Sequence, residues 1–165
     1  MEVHIRPART SDVRAIRDLI DIYAPHRILL ARATVTLFET VPDFLVAEVD
    51  GQVVGCGALH VVWEDLGELR SLAVDPGHTG AGIGRSLAGA LLDRARALGV
   101  LRVFCLTFET QFFAGSGFVQ IEGAPVAPDV YAQLLQSYDE GVAEMLDLER
   151  VKPNTLGNHR MLRVL

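Results

Sequence analysis

The sequence contains little of what marks several common protein classes. Its only two cysteines, Cys56 and Cys105, form neither a C-x-x-C pair nor part of a histidine cluster, so we expect a reduced, metal-free, cytoplasmic protein. Its apolar runs are far shorter than the roughly 20 residues that a membrane-spanning helix needs. Charged residues occur from the N-terminus onward, and we therefore expect neither a membrane span nor a secretory leader.

Positive charge is also scarce, and this excludes a second group of functions. The chain has 15 basic and 21 acidic residues, which give a formal net charge of −6 and an isoelectric point of about 5.3. A protein of this charge has no general affinity for nucleic acid or anionic lipid, so any positive site must be local. By contrast, 50% of the 165 residues are hydrophobic, which is enough to bury the core of a single domain spanning residues 1–165.

Hydrophobic periodicity and turn residues predict a mixed α/β sheet. Apolar residues at intervals of three and four predict helices at 13–23 and 83–98, and a weaker helical pattern covers 28–42. Asp50 and Gly51 separate two apolar runs and predict a tight hairpin. We predict strands at 3–6, 44–49, 52–60, 68–74, 101–106, 118–121 and 161–165 and a short helix at 109–114, while the stretch 122–158 has the least definite pattern.

A glycine-rich turn joins the predicted strand 68–74 to the predicted helix 83–98. Gly80, Gly82 and Gly84 leave several backbone N–H groups unshielded at the positive end of that helix, which favours a pyrophosphate site. The Walker pattern requires a lysine that this turn lacks. The dinucleotide fingerprint requires G-x-G-x-x-G, whereas the spacing here is G-x-G-x-G. Neither of these two phosphate loops therefore fits.

The turn resembles the acetyl-CoA loop of the GNAT acetyltransferase superfamily, [RQ]-x-x-G-x-[GA], which follows a strand ending in Val-x-Pro. Gly82 and Gly84 match this pattern, while Thr79 stands where Arg or Gln is usual. Downstream, the sequence FAGSGF at 113–118 matches the aromatic-x-x-x-Gly-Phe turn of the same superfamily. The resemblance implies the GNAT fold, an α/β fold with a central, mostly antiparallel sheet, splayed strands and flanking helices.

The same resemblance implies acetyl-CoA as the co-substrate and no metal. In this family the exposed backbone of the strand before the loop pairs with the pantetheine arm, the loop holds the pyrophosphate, and aromatic side chains form a wall. The cofactor-binding residues that the resemblance implies are Leu72, Ala73, Val74, Thr79, Gly80, Ala81, Gly82, Ile83, Gly84, Arg85, Phe112 and Phe113.

Three further stretches, at 28–32, 54–60 and 67–74, are similar to the acetyltransferase domain of N-acetylglutamate synthases in their short form. This resemblance implies acetyl transfer to the α-amine of L-glutamate, with L-glutamine as a further acceptor, at the first step of arginine biosynthesis. It also implies a homodimer. Two alternatives stay open: a GNAT enzyme that acts on another amine, and an acetyl-CoA-binding regulatory module without turnover.

Acetyl transfer to an amine requires a base and groups that hold the acceptor. Glu68 lies where several GNAT enzymes place their general base, and Arg70 faces the same side of a regular strand. Two carboxylates on the acceptor require cations that bind them in bidentate geometry. The predicted substrate-binding cations are Arg32 and Arg70, with Arg160 and Arg27 in reserve. The resemblance also implies contacts to the acceptor from Thr107 and the Leu106 carbonyl, at the end of the next strand.

The remaining polar residues have simpler interpretations. We interpret His60 and His78 as structural, both cysteines as core, and the acidic residues between 139 and 149 as a solvated helix face.

Many GNAT enzymes place a proton-donating tyrosine where this chain has Phe112 and Phe113. We therefore expect the CoA thiolate to leave unassisted or with a proton from water, with Tyr138 and then Tyr131 as the side-chain alternatives.

Overall fold

The backbone of the chain is organised around one β-sheet. The computed structural model describes residues 1–26, 33–147 and 158–165, and within these ranges seven strands pair in the order β1-β2-β3-β4-β5-β7-β6. Neighbouring strands are antiparallel except β4 and β5, which run parallel, so the predicted mixed and mostly antiparallel sheet is confirmed. The strands are β1 (His4–Pro7), β2 (Phe44–Val49), β3 (Gln52–Trp63), β4 (Leu66–Val74), β5 (Arg102–Thr107), β6 (Val119–Ile121) and β7 (His159–Val164).

Helices cover both faces of the sheet. Alternate residues of β2 show the two layers, since Ala47 packs with Leu87 and Leu91 on one side while Val46 packs with Ile16 on the other. In the described ranges, no helix combines the length and the hydrophobicity that crossing a bilayer requires. The helices are α1 (Val13–Tyr23), α2 (Thr34–Glu39), α3 (Ile83–Leu98), α4 (Thr110–Gly115), α5 (Pro128–Leu134) and α6 (Glu140–Met145).

Most element boundaries agree with the sequence predictions to within a few residues. Helix α3 spans the predicted 83–98, and Asp50 and Gly51 form the hairpin turn with φ values of 51° and 78°. The predicted helical stretch 28–42 lies partly outside the described residues, which show α2 within it. The segment 122–158, where the sequence pattern is least definite, contains α5 and α6 among its described residues. These two short helices pack against Leu66 and Phe104 at one end of the sheet.

Strands β4 and β5 separate after a short parallel contact. Residues 66–68 pair with residues 102–104, and in the described chain the two strands make no further pairing. A bulge follows at Ser71, whose φ of 56° accompanies a shift in the register with β3 between Arg70 and Ala73. The sheet therefore opens into a wedge, which is the splay that the predicted fold requires.

Candidate active site

The wedge between β4 and β5 contains a cleft of about 290 Å³. Its walls come from the two strands, from the end of α1 and from α4. The predicted substrate-binding residues Arg70, Leu106 and Thr107 line it. The predicted cofactor-binding residues that line it are Leu72, Ala73, Val74, Thr79, Gly84, Phe112 and Phe113.

A second cavity continues from the cleft along the glycine-rich turn. It shares Val74, Thr79, Gly84 and Phe112 with the cleft, so the two form one continuous surface. Gly80 and Gly82 have φ values of 83° and 78°, which favour glycine, and a Cβ built on either one meets no atom within 4 Å. The backbone at the start of α3 is therefore open to a ligand. The other predicted residues lining this cavity are Gly80, Gly82, Ile83 and Arg85, whereas Ala81 lines neither cavity.

Side chains within the turn hold its shape. The Asp75 carboxylate accepts a hydrogen bond from the Gly77 N–H at 3.0 Å and contacts His78 Nδ1 at 2.9 Å. The Thr79 hydroxyl donates to the Pro76 carbonyl at 3.1 Å. His78 therefore helps to hold the turn, and it also lines the second cavity. Thr79 closes the turn at the position where the family pattern has an arginine or glutamine.

Tyr23 is a cleft residue that the sequence analysis missed. It ends the apolar stripe of α1, and a stripe of this kind indicates only a core position. In the structure the Tyr23 hydroxyl donates a hydrogen bond to the Val74 carbonyl and thereby ties α1 to the open end of β4. Burial, followed by the nearby charge of Asp75, raises the pKa of Tyr23, so the phenol keeps its proton at neutral pH.

A buried charged cluster lies where the wedge closes. Glu68 is 4% exposed and pairs in register with Phe104, at the last contact between β4 and β5. Its Oε2 lies 3.1 Å from Arg70 Nη2. Arg70 in turn forms a bidentate contact with Asp139, in which both N–O distances are 2.8 Å. The prediction that Glu68 and Arg70 share one side of β4 is therefore confirmed, because the bulge comes after both.

Asp139 corrects one interpretation of the sequence, which assigned it to a solvated acidic face. It precedes α6 and caps it, accepting a hydrogen bond from the Val142 N–H at 3.0 Å. Burial alone would raise the pKa of this carboxyl group, but hydrogen bonds and charge from Arg70 outweigh burial and hold the pKa at about 2. The carboxylate therefore stays ionised beside Arg70. The pairing partner, 69 residues away in sequence, explains why the acidic pattern was misleading.

His60 connects the cluster to the neighbouring strand. Its Nδ1 lies 2.8 Å from Asp43 Oδ2, and its Nε2 lies 3.5 Å from Asp139 Oδ2. Because both ring nitrogens face carboxylates, the imidazole is an internal linker between β3 and the start of α6. This placement supports the structural interpretation of His60.

The start of α6 also contacts Glu68 directly. A Cβ built on Gly141 would lie 2.2 Å from Glu68 Oε2 and 2.9 Å from Oε1, distances that are far below van der Waals contact. Gly141 therefore lets the helix backbone approach the carboxylate closely. The start of α6 thus borders both members of the Glu68–Arg70 ion pair, because Gly141 lies beside Glu68 and Asp139 binds Arg70.

The other predicted substrate-binding residues are placed differently. The Thr107 hydroxyl accepts a hydrogen bond from the Glu109 N–H at 2.8 Å, which leaves its own proton to donate. Arg160 does not line the cleft in the structure described, because its Nε donates to the Met145 carbonyl and its Nη2 lies 3.0 Å from Asp147. The structure therefore does not place Arg160 in the cleft, and its role in binding the acceptor stays a prediction. Arg32 and the reserve residue Arg27 lie outside the described residues.

The thiols and two of the tyrosines have no reactive placement in the structure. Burial raises the pKa of Cys56 to about 12 and also raises the pKa of Cys105, which lines the cleft, so both stay thiols. The Tyr138 side chain is 97% exposed, and neither it nor Tyr131 lines the cleft.

In the parts of the chain that the structure describes, no group of three or more histidine, cysteine, aspartate or glutamate residues is placed to hold a metal ion.

Comparison with known proteins agrees with this geometry. The model of the acetyltransferase (GNAT) family matches residues 14–118. The chain is 58% identical over 164 residues to the amino-acid acetyltransferase of Mycobacterium tuberculosis, covering 98% of this chain and 94% of that protein. It is 37% identical over 118 residues to the amino-acid acetyltransferase of Neisseria meningitidis, covering 70% of this chain and 27% of that longer protein.

Two solved structures extend the comparison to bound ligands. The Mycobacterium tuberculosis protein Rv2747, in complex with CoA and NLQ, superposes with a TM-score of 0.94 at 58% identity and covers 98% of this chain and 99% of its own. N-acetylglutamate synthase from Neisseria gonorrhoeae, complexed with coenzyme A and N-acetyl-glutamate, superposes with a TM-score of 0.80 at 28% identity and covers 100% of this chain and 35% of its own. The chain therefore belongs to the acetyltransferase (GNAT) family and is an acetyl-CoA-dependent acyltransferase.

Proposed function

We propose that this protein transfers the acetyl group of acetyl-CoA to the α-amine of L-glutamate, with L-glutamine as a second acceptor, at the first step of arginine biosynthesis. The observation that carries the proposal is the continuous cleft, which has an open glycine-rich turn at one end and, at the other, Arg70 in contact with the buried Glu68. The relatives named amino-acid acetyltransferase, and the synthase structure containing N-acetyl-glutamate, support an amino acid as the acceptor.

The cofactor would occupy the whole length of the cleft. Backbone N–H groups at the start of α3 would hold the pyrophosphate, because they are open to a ligand and lie at the positive end of a 16-residue helix. The pantetheine arm would pair with β4 from Leu72 to Val74, where β5 has separated. Phe112 and Phe113 would form the opposite wall; their rings are in edge-to-face contact, with the ring centroids 5.0 Å apart.

Glu68 would act as the general base for the acceptor amine. The α-ammonium must lose a proton before its nitrogen can attack the thioester carbonyl, and Glu68 lies at the point where the wedge closes, in contact with the cleft residue Arg70. The proton would pass to Glu68 directly or through one water. The amine nitrogen then bonds to the carbonyl carbon and loses its second proton to solvent. The C–S bond breaks, and CoA leaves as a thiolate that takes a proton from water.

Transfer would be direct, without an acetyl-enzyme intermediate. Cys105 is the one cysteine that lines the cleft, but burial and the nearby charge of Glu68 raise its pKa, so its thiolate does not form at neutral pH. The Thr107 hydroxyl and the Leu106 carbonyl, at the open end of β5, would position the acceptor. Arg32 stays the predicted cation for an acceptor carboxylate.

Release of the CoA thiol over a panel of amines tests the proposal. We expect turnover with glutamate and glutamine, and little with polyamines, peptide N-termini or aminoglycosides. Turnover with one of these other amines and not with either amino acid would support the first alternative, a GNAT enzyme for a different acceptor. Binding of acetyl-CoA without thiol release on any amine would support a regulatory module. The homodimer and the cytoplasmic location also stay predictions.

Replacing Gly141 with alanine tests the position of the base. We expect kcat to fall at least about tenfold, because the added methyl group must displace the Glu68 carboxylate, and a misplaced base loses much of its contribution. The melting temperature should change little, since alanine favours a helix over glycine by about 1 kcal/mol and offsets part of the steric cost. Gly89→Ala in α3 is the matched control, because its Cβ meets no atom within 4 Å. Equal kcat in both variants would contradict this prediction.

A further inference from the structure

The contact between Asp139 and Arg70 restricts what Arg70 can bind. Arg70 lines the cleft, yet both terminal nitrogens of its guanidinium donate to Asp139 at 2.8 Å, and one of them also contacts Glu68 at 3.1 Å. Its remaining nitrogen, Nε, has no hydrogen-bond partner among the described residues. Asp139 therefore occupies the paired terminal donors that end-on bidentate binding of an acceptor carboxylate requires, and Nε is buried.

Asp139 is fixed in this position by its own surroundings. Its Oδ1 accepts the Val142 N–H as the cap of α6, and its backbone N–H donates to the Ser137 hydroxyl at 3.1 Å. His60 approaches its Oδ2 while the other imidazole nitrogen contacts Asp43. Releasing Arg70 would thus break a helix cap as well as an ion pair. An acceptor carboxylate that competes with Asp139 for Arg70 is free in solution, so its binding also costs the entropy of ordering it.

The charge balance at this end of the cleft also disfavours an anion. Glu68 and Asp139 each contribute −1 and Arg70 contributes +1, so the three side chains together carry −1. A side-chain carboxylate that approaches Arg70 is repelled by this net negative charge, whereas a neutral carboxamide is not. Selectivity between two acceptors depends on such repulsive elements as much as on attractive ones.

We propose that Asp139 is a specificity-determining residue, which keeps Arg70 from binding the acceptor and so lowers the preference for a side-chain carboxylate relative to a neutral carboxamide. The inference rests on the proposed function, because it concerns the choice between glutamate and glutamine. Asp139 does not touch the reacting atoms. It acts through Arg70.

Asp139→Asn tests this inference through the ratio of kcat/KM for glutamate to kcat/KM for glutamine. We expect the ratio to rise at least about tenfold, because asparagine has nearly the same shape and still caps α6, while the net charge of the three side chains rises from −1 to zero. Asp12→Asn is the matched control. Asp12 forms a similar bidentate pair with Arg6, at 2.8 and 3.0 Å, but away from the cleft, so its loss should leave the ratio unchanged.

Two further variants keep the inference falsifiable. Asp139→Ser also retains a helix-capping side chain, and it serves if the asparagine variant folds poorly. The double variant Asp139→Asn with Arg70→Gln restores the charge of −1, and its ratio should return to that of the unmodified protein. An unchanged ratio in a folded Asp139 variant, or a raised ratio that persists in the double variant, would overturn the inference. Turnover with neither amino acid in the unmodified protein would instead refute the proposed function, and the inference with it.

Discussion

Glu68→Gln should lower kcat by about 10²- to 10⁴-fold, the range expected when a general base is lost. Glutamine has almost the same shape as glutamate, so the close contact with Gly141 is kept while the proton acceptor is removed. Arg70 retains its bidentate contact with Asp139, and the fold should persist. Steady-state thiol release at saturating acetyl-CoA and acceptor measures the loss, and circular dichroism confirms folding.

Tyr138→Phe is the control for this experiment. Its side chain is 97% exposed and does not line the cleft, so kcat should stay within a few-fold of the unmodified value. A hundredfold loss in this variant would identify Tyr138 as the acid that protonates the thiolate. Full activity in a folded Glu68→Gln variant would show that the base lies elsewhere.

Gly82→Val should raise the KM for acetyl-CoA by about 10- to 100-fold, the equivalent of one lost hydrogen bond to a charged phosphate. The valine side chain would stand over the N–H groups at the start of α3 and keep the pyrophosphate from approaching them. The KM for the amino acid should change much less, because the acceptor enters at the other end of the cleft. Initial rates measured while each substrate is varied in turn separate the two effects.

Gly51→Val isolates the contribution of backbone strain. Gly51 has the same φ of 78° as Gly82, and its Cβ also meets no atom within 4 Å, but it lies in the hairpin between β2 and β3. Valine is strained in this conformation at both positions, by roughly 1–2 kcal/mol. If both variants raise the KM for acetyl-CoA equally, strain is responsible and the phosphate site at Gly82 is wrong.

The parts of the site that the sequence predicts are those set by local pattern. The glycine spacing and the regular apolar stripe lie within about 25 consecutive residues, so the turn and the start of α3 can be predicted together. Glu68 and Arg70 are two residues apart on one strand, and their shared face follows from strand geometry. The organisation as a single domain stays a prediction.

The parts that sequence reasoning missed depend on contacts between distant segments. Asp139 approaches Arg70 only because α6 packs against Leu66 and Phe104 at one end of the sheet. In the sequence, the acidic residues around Asp139 indicate a solvated surface instead. Tyr23 occupies a core-like position in its helix, and the hydroxyl contact with Val74 crosses 51 residues. The sequence pattern indicates no partner for Arg160, but the structure places it against the end of α6. Such pairings cannot be inferred from periodicity.

The wedge in the sheet has a consequence for the stability of the protein. On the side facing β5, residues 69–74 of β4 have no neighbouring strand in the described chain, so backbone groups there are open to water and to hydrogen exchange. A bound pantetheine would serve as the missing strand. At a cofactor concentration of 100 times Kd, binding adds about 2.7 kcal/mol to the free energy of unfolding. The lifetime of the folded enzyme would then follow the supply of acetyl-CoA, the metabolite that it consumes.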